Sequence, residues 1–268
     1  MSLKAILFDL DDTLIADEAV STEAFQLVAQ EARNRHGAEA NRFARDAAEH
    51  ARALWEIGPC NAFCRNLGIS AFECLWGGFE GEGEWAELRK WALRFREQVF
   101  DQALRDQMIE SPEGSRGLAE AFGKERRLLQ RLMPDALETL TRLSSRCALG
   151  MLTNGAPDLQ REKIAASGLE SLFQAVVISG LFGIGKPRRE IFLHLTDRLG
   201  IVPDEAMMVG NSLERDIAGA RNAGIKSIWF KVTGSEEPAA VEPDFTITGL
   251  AELPALLERF DVQRAVGA

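Results

Sequence analysis

The chain has 268 residues, 46% apolar and 27% charged, with 31 Lys plus Arg against 41 Asp plus Glu for a formal net charge of −10. That composition excludes a disordered chain, the acidic balance argues against a protein that coats nucleic acid, and no apolar run nears the roughly 20 residues needed to span a bilayer. The length suits one large domain, or one domain carrying a smaller one.

Taken in chain order, residues 4–10 read as a buried strand ending in acids. The N-terminal stretch turns acidic at Asp9, too soon for the apolar region of a secretory signal, so a cytoplasmic protein is expected. From about 16 to 133 the texture is helical, with segments at 21–36, 38–57 and 84–107. The last of these carries Trp85, Leu88, Trp91, Ala92, Phe95 and Val99 close to helical spacing. The run Gly77-Gly78-Phe79-Glu80-Gly81-Glu82-Gly83 interrupts the helices as a loop. Cys60, Cys64, Cys74 and Cys147 are too few for a disulfide framework. The first three lack the paired spacing of a zinc site and read as structural thiols.

After Pro134 strands and helices alternate, with apolar runs at 147–152, 175–179, 206–210, 226–230 and 244–248. That rhythm predicts an α/β fold with a doubly wound parallel sheet, Rossmann-like in type. The first strand is parted from its siblings by over a hundred helical residues, so the helical block reads as an insertion. The expected division is an α/β core of 1–15 and 134–268, and an all-helical cap of 16–133.

Open α/β sheets bind ligands beyond the carboxyl ends of their strands, and four polar groups fall there. Asp9 and Asp11, in Phe8-Asp9-Leu10-Asp11-Asp12-Thr13, stand two apart, so on an extended strand both would share one face. Their mutual repulsion invites a divalent cation or an acid–base pair. Thr153-Asn154-Gly155 can present donors to an anion, although Asn-Gly is also a routine turn. Gly180, Gly185 and Lys186 imitate part of a P-loop, but Pro187 stands where the Mg²⁺-binding hydroxyl belongs. What remains is a fixed positive charge at Lys186, or else a solvated loop lysine. Asn211 and Asp216, in Gly210-Asn211-Ser212-Leu213-Glu214-Arg215-Asp216, offer oxygens that suit a hard cation, unless Asn211 or Ser212 serves as a helix cap.

In this order (DxDxT, Thr-Asn-Gly, Lys-Pro, GNSxxxD), the four motifs resemble those of the haloacid dehalogenase superfamily. An insertion directly after the first motif resembles that family's helical cap of the first type. The resemblance implies a phosphatase with Asp9 as nucleophile and Asp11 as general acid and base. It implies Thr153, Asn154 and Lys186 at the substrate phosphate, and Mg²⁺ on Asp9, the Asp11 carbonyl, Asn211 and Asp216. The implied partner is a small-molecule phosphate ester, with no nucleic acid and no membrane; monomer and homodimer both stay open.

Many phosphatases of the family have Asp where this chain has Asn211, which implies weaker Mg²⁺ binding here unless Asp216 compensates. The dehalogenase branch lacks the second aspartate of the first motif, and Asp11 is present. A dehalogenase, a phosphomutase or a non-catalytic binding protein on the same scaffold are the alternatives. In the cap, Arg65, Ser70, Trp76, Arg94 and Arg116 are candidate substrate contacts, and the irregular segment 69–83 is the preferred specificity element.

Overall fold

Six short apolar segments that cannot satisfy their backbones alone pair into one sheet. The structure is a computed structural model that describes residues 3–232 and 241–258. The strands are β1 (Ala5–Phe8), β2 (Ala148–Thr153), β3 (Ala175–Ile178), β4 (Ala206–Gly210), β5 (Lys226–Phe230) and β6 (Phe245–Ile247). Their order is β3-β2-β1-β4-β5-β6, and every pairing is parallel. Phe8, the last residue of β1, sits beside Met151 and Val209, so β1 is flanked by β2 and β4.

Successive side chains of β1 enter two different apolar clusters. Ile6 and Phe8 pack with Met151, Val209 and Ile228; Leu7 packs with Leu152, Val177 and Met208. A strand buried on both faces has no polar alternation, which is why the run Ala-Ile-Leu-Phe is continuously apolar. Burying a side chain such as Phe8 contributes about 2–3 kcal/mol.

The chain divides into two compact units. One comprises Met1–Ala16, Arg131–Asn154 and Lys163–Ala268; the other comprises Asp17–Gln130 and Gly155–Glu162. The sequence division at 15/16 and 133/134 did not place 155–162 with the helical segments. Ala156 and Leu159 explain the difference, because both are buried in the apolar cluster of the helical unit.

The helical unit holds α1 (Asp17–His36), α2 (Ala40–Glu56), α3 (Asn61–Leu67), α4 (Ala71–Cys74), α5 (Glu84–Arg105) and α6 (Pro112–Leu128). Phe25 of α1 and Phe122 of α6 meet at 4.6 Å between ring centroids, with Phe100 of α5 6.1 Å from Phe122. Part of the segment expected to be irregular is therefore regular: α4 is closed by a reciprocal cap between Ser70 and Glu73. Ser70 and Trp76 have structural partners there, and Trp76 is buried with the Arg126 guanidinium 4.8 Å from its ring. Arg65 and Arg116 are exposed and paired with Glu56 and Glu97. Arg94 lines a cavity of about 510 Å³ with Cys60, Glu87 and Trp91.

The remaining helices are α7 (Ala136–Ser144), α8 (Pro157–Ser167), α9 (Ser179–Phe182), α10 (Arg189–Arg198) and α11 (Ala218–Ala223). A π-helical turn, Leu213–Ile217, leads into α11, and the Ser212 hydroxyl caps it by accepting the Arg215 N–H at 3.1 Å. No helix among the described residues is long and apolar enough to cross a membrane.

Candidate active site

β1 ends at Phe8, two residues before the sequence reading closes it. Asp12 takes a left-handed φ of 56°, and the Leu10 carbonyl accepts N–H groups from Thr13, Leu14 and Ile15. Asp9 carries on the line of β1, donating its N–H to the Val209 carbonyl at 3.0 Å, and Asp11 stands at the start of the tight turn that follows. Each carboxylate has its own lysine. Asp9 Oδ1 accepts from Lys186 Nζ at 2.5 Å, and Asp11 Oδ1 accepts from Lys163 Nζ at 2.9 Å.

Lys186 also donates to Asp216 Oδ1 at 2.7 Å, so two buried carboxylates converge on one ammonium. Burial pushes the lysine's pKa down, but the charges of Asp216 and Asp9 outweigh it and the net shift is upward. Burial pushes the Asp216 carboxyl up, with Asp9 adding to it and Lys186 opposing, to about 6. Gly210 permits this approach: a Cβ there would overlap the Asp216 side chain. The other Asp216 oxygen, Oδ2, accepts the Ser212 N–H at 3.0 Å.

Thr13, fully buried, ties the first motif to the fourth. Its hydroxyl lies 3.2 Å from Asp9 Oδ2 and 3.5 Å from Asn211 Oδ1, and it accepts the Asn211 N–H at 3.1 Å. The Asn211 carbonyl in turn accepts from Trp229 Nε1 at 3.0 Å. Asp9, Lys186, Asp216 and Asn211 thus form one connected group.

The two remaining predicted positions lie at the end of β2. Thr153 is fully buried, its hydroxyl 3.4 Å from the Asn154 carbonyl. The Asn154 side chain, expected at the phosphate, holds the lysine loop. Its Nδ2 donates to the Lys186 carbonyl at 3.1 Å, and its Oδ1 accepts the Lys186 N–H at 2.8 Å. Gly185 lets the loop come close, since a Cβ there would lie 2.9 Å from Asn154 Oδ1. The string that imitates a P-loop is broken by α9, which contains Gly180, so its glycines form no single cradle.

The oxygens gathered here are hard donors of the kind Mg²⁺ prefers. Among the described residues no group of three or more His, Cys, Asp or Glu gathers that could hold a metal. A dication would thus rest on the two carboxylates, Asp9 and Asp216, and on neutral oxygens such as Asn211 Oδ1. That set fits a cation which keeps several of its waters, as Mg²⁺ does.

Sequence reasoning gave no role to two residues that join this network. Thr13 lay inside a motif already noted. Lys163 carried a weaker signal: it follows Gln160 by three and Leu159 by four, so it falls on the buried stripe of α8 with Ile164.

The sequence model of the haloacid dehalogenase-like hydrolases matches residues 3–224. The phosphoserine phosphatase of Thermus thermophilus is 40% identical over 252 residues, covering 94% of this chain and 98% of that protein. The N-acylneuraminate-9-phosphatase of Mus musculus is 39% identical over 141 residues, covering 52% of this chain and 57% of that protein. The solved structure of YfnB, a Bacillus subtilis HAD-hydrolase bound to magnesium, superposes with a TM-score of 0.67 at 20% identity. It covers 96% of this chain and 99% of that one, and the likeness is one of fold.

Proposed function

The chain belongs to the haloacid dehalogenase-like hydrolases, and from that premise we propose that it is a Mg²⁺-dependent phosphatase of a small phosphorylated metabolite. Asp9 is the nucleophile: one carboxylate oxygen attacks phosphorus while the ester oxygen departs, leaving an aspartyl-phosphate that water then hydrolyses. The observation that carries this reading is the placement of Asp9. It stands just beyond the central strand, buried, with an ammonium on one oxygen and the Thr13 hydroxyl on the other.

Each step needs a proton moved and charge neutralised. Asp11 gives its proton to the leaving oxygen, then takes one from the attacking water. Lys186 and the Thr153 hydroxyl hold the phosphoryl oxygens, and Asn154 fixes Lys186 through its backbone. Asp9, the Asp11 carbonyl, Asn211 and Asp216 would hold Mg²⁺, which when bound neutralises charge on the transferring group. The helical unit takes the part of the family's cap and selects the leaving group. The Thermus relative, similar over nearly its whole length, makes O-phosphoserine the first substrate to test.

The test is phosphate release from a panel of phosphorylated metabolites that includes O-phosphoserine, with and without EDTA. Release that Mg²⁺ restores after chelation, and that the Asp9→Asn variant lacks, is the expected result. Full turnover by Asp9→Asn would end the covalent mechanism, and undiminished turnover in EDTA would end the metal's role.

A further inference from the structure

Lys163 belongs to none of the four motifs, yet it meets the second aspartate of the first. Its side chain is fully buried, whereas 25% of the Asp11 side chain stays exposed. The lysine stands on the buried stripe of α8 beside Ile164. Burying an ammonium costs several kcal/mol unless a counter-charge meets it, and an apolar side chain would fill the same space without that cost. Asp11 Oδ1, 2.9 Å away, supplies a counter-charge. Asp9 is meanwhile engaged by Lys186, so the two aspartates are held by separate cations, in keeping with separate tasks.

We propose that Lys163 is a positioning residue that fixes the direction of the Asp11 carboxyl group for proton transfer. The proposal rests on the reading of Asp11 as acid and base. In the first step the Asp11 O–H bond breaks as a bond from that hydrogen to the leaving oxygen forms. The carboxylate left behind is held in place by the lysine. In the second step a water O–H bond breaks, the proton returns to Asp11, and the water oxygen bonds to phosphorus as the Asp9 Oδ–P bond breaks, releasing phosphate and the free Asp9 carboxylate. Both transfers need the carboxyl group aimed to within a fraction of an ångström, and misplacement by about 1 Å can cost on the order of 100-fold.

The experiment is a double-mutant cycle on the full chain with Mg²⁺, using p-nitrophenyl phosphate. Lys163→Met should lower kcat roughly 10- to 100-fold while KM stays within about twofold. Lys163→Arg should recover part of the loss. In the Asp11→Asn background, Lys163→Met should lower kcat no further, because its effect runs through Asp11. A purely structural lysine would cost the same in both backgrounds, and that additive outcome overturns the proposal, as does a Lys163→Met enzyme of wild-type kcat. Far-UV circular dichroism monitors folding, and Lys163→Gln, which keeps a donor without the charge, takes the place of Met should that variant not fold. Undiminished kcat in Asp11→Asn overturns the reading of Asp11 itself. Impaired Asp11→Asn beside normal Lys163→Met overturns the lysine proposal alone.

Discussion

Asn154 grips Lys186 at both polar groups of its main chain, with one side-chain amide serving the carbonyl at 3.1 Å and the N–H at 2.8 Å. Asn154→Ala should leave both buried groups without that partner and destabilise the protein by about 2 kcal/mol or more. The lysine would lose its fixed place, so kcat should fall more than the stability loss alone explains. Thermal unfolding paired with kcat on p-nitrophenyl phosphate checks this; a stable variant of normal kcat would separate the clamp from catalysis.

Gly210→Ala puts a methyl group where the Asp216 side chain now lies. Asp216 is held by Lys186 and by the Ser212 N–H, so it cannot swing aside without losing those bonds. The expected result is a loss of about 1–3 kcal/mol in stability and weaker Mg²⁺ binding. Chemical denaturation and a Mg²⁺ titration read the two effects, and a variant that matches the parent in both would mean that the turn relaxes freely.

The Asp216 carboxyl, pushed by burial to about 6, would set a pH dependence for the proposed metal. Only the deprotonated carboxylate can ligate, so binding must displace the proton wherever it is bound. Mg²⁺ affinity should be flat well above pH 6 and fall toward tenfold per unit below it, with protons released on binding in the acidic range. Calorimetry in buffers of different ionisation enthalpy counts those protons. Equal proton release at about pH 5 and about pH 8 would remove Asp216 from the metal's coordination.

Asn211→Asp adds a charge beside the pair of carboxylates. Mg²⁺ should bind roughly tenfold more tightly, because ligand charge tunes hard-cation affinity. The metal-free variant should be less stable by about 1 kcal/mol through repulsion with Asp9 and Asp216. An unchanged Mg²⁺ titration would place Asn211 outside the coordination shell.

The sheet was the most legible part of the sequence. The runs at 206–210 and 226–230 coincide with β4 and β5, and β4, buried along its whole length, leaves unbroken apolar text. The end of β1 was not legible, because the turn after it depends on the left-handed Asp12 and on one carbonyl collecting three N–H groups. Within the site, the motif residues announced themselves as polar punctuation at strand ends. Lys163 did not, since a lysine in mid-helix reads as solvated. Its burial is made tolerable by Asp11, 152 residues away in sequence. The Asn154 amide pairs with the backbone of the Lys186 loop, which local pattern does not encode.

The central place of β1 has a consequence for the order of events during synthesis. The strand that leads to Asp9 is translated well before its two neighbours, Ala148–Thr153 and Ala206–Gly210. At typical elongation rates of about 5–20 residues per second, Ala5–Phe8 waits on the order of ten seconds or more before both its edges are covered. The helical segment translated meanwhile is rich in local contacts and can fold early. The nascent chain thus carries a four-residue apolar strand with open edges until Gly210 has been made, and no earlier release of the chain can yield an assembled Asp9, Lys186 and Asp216.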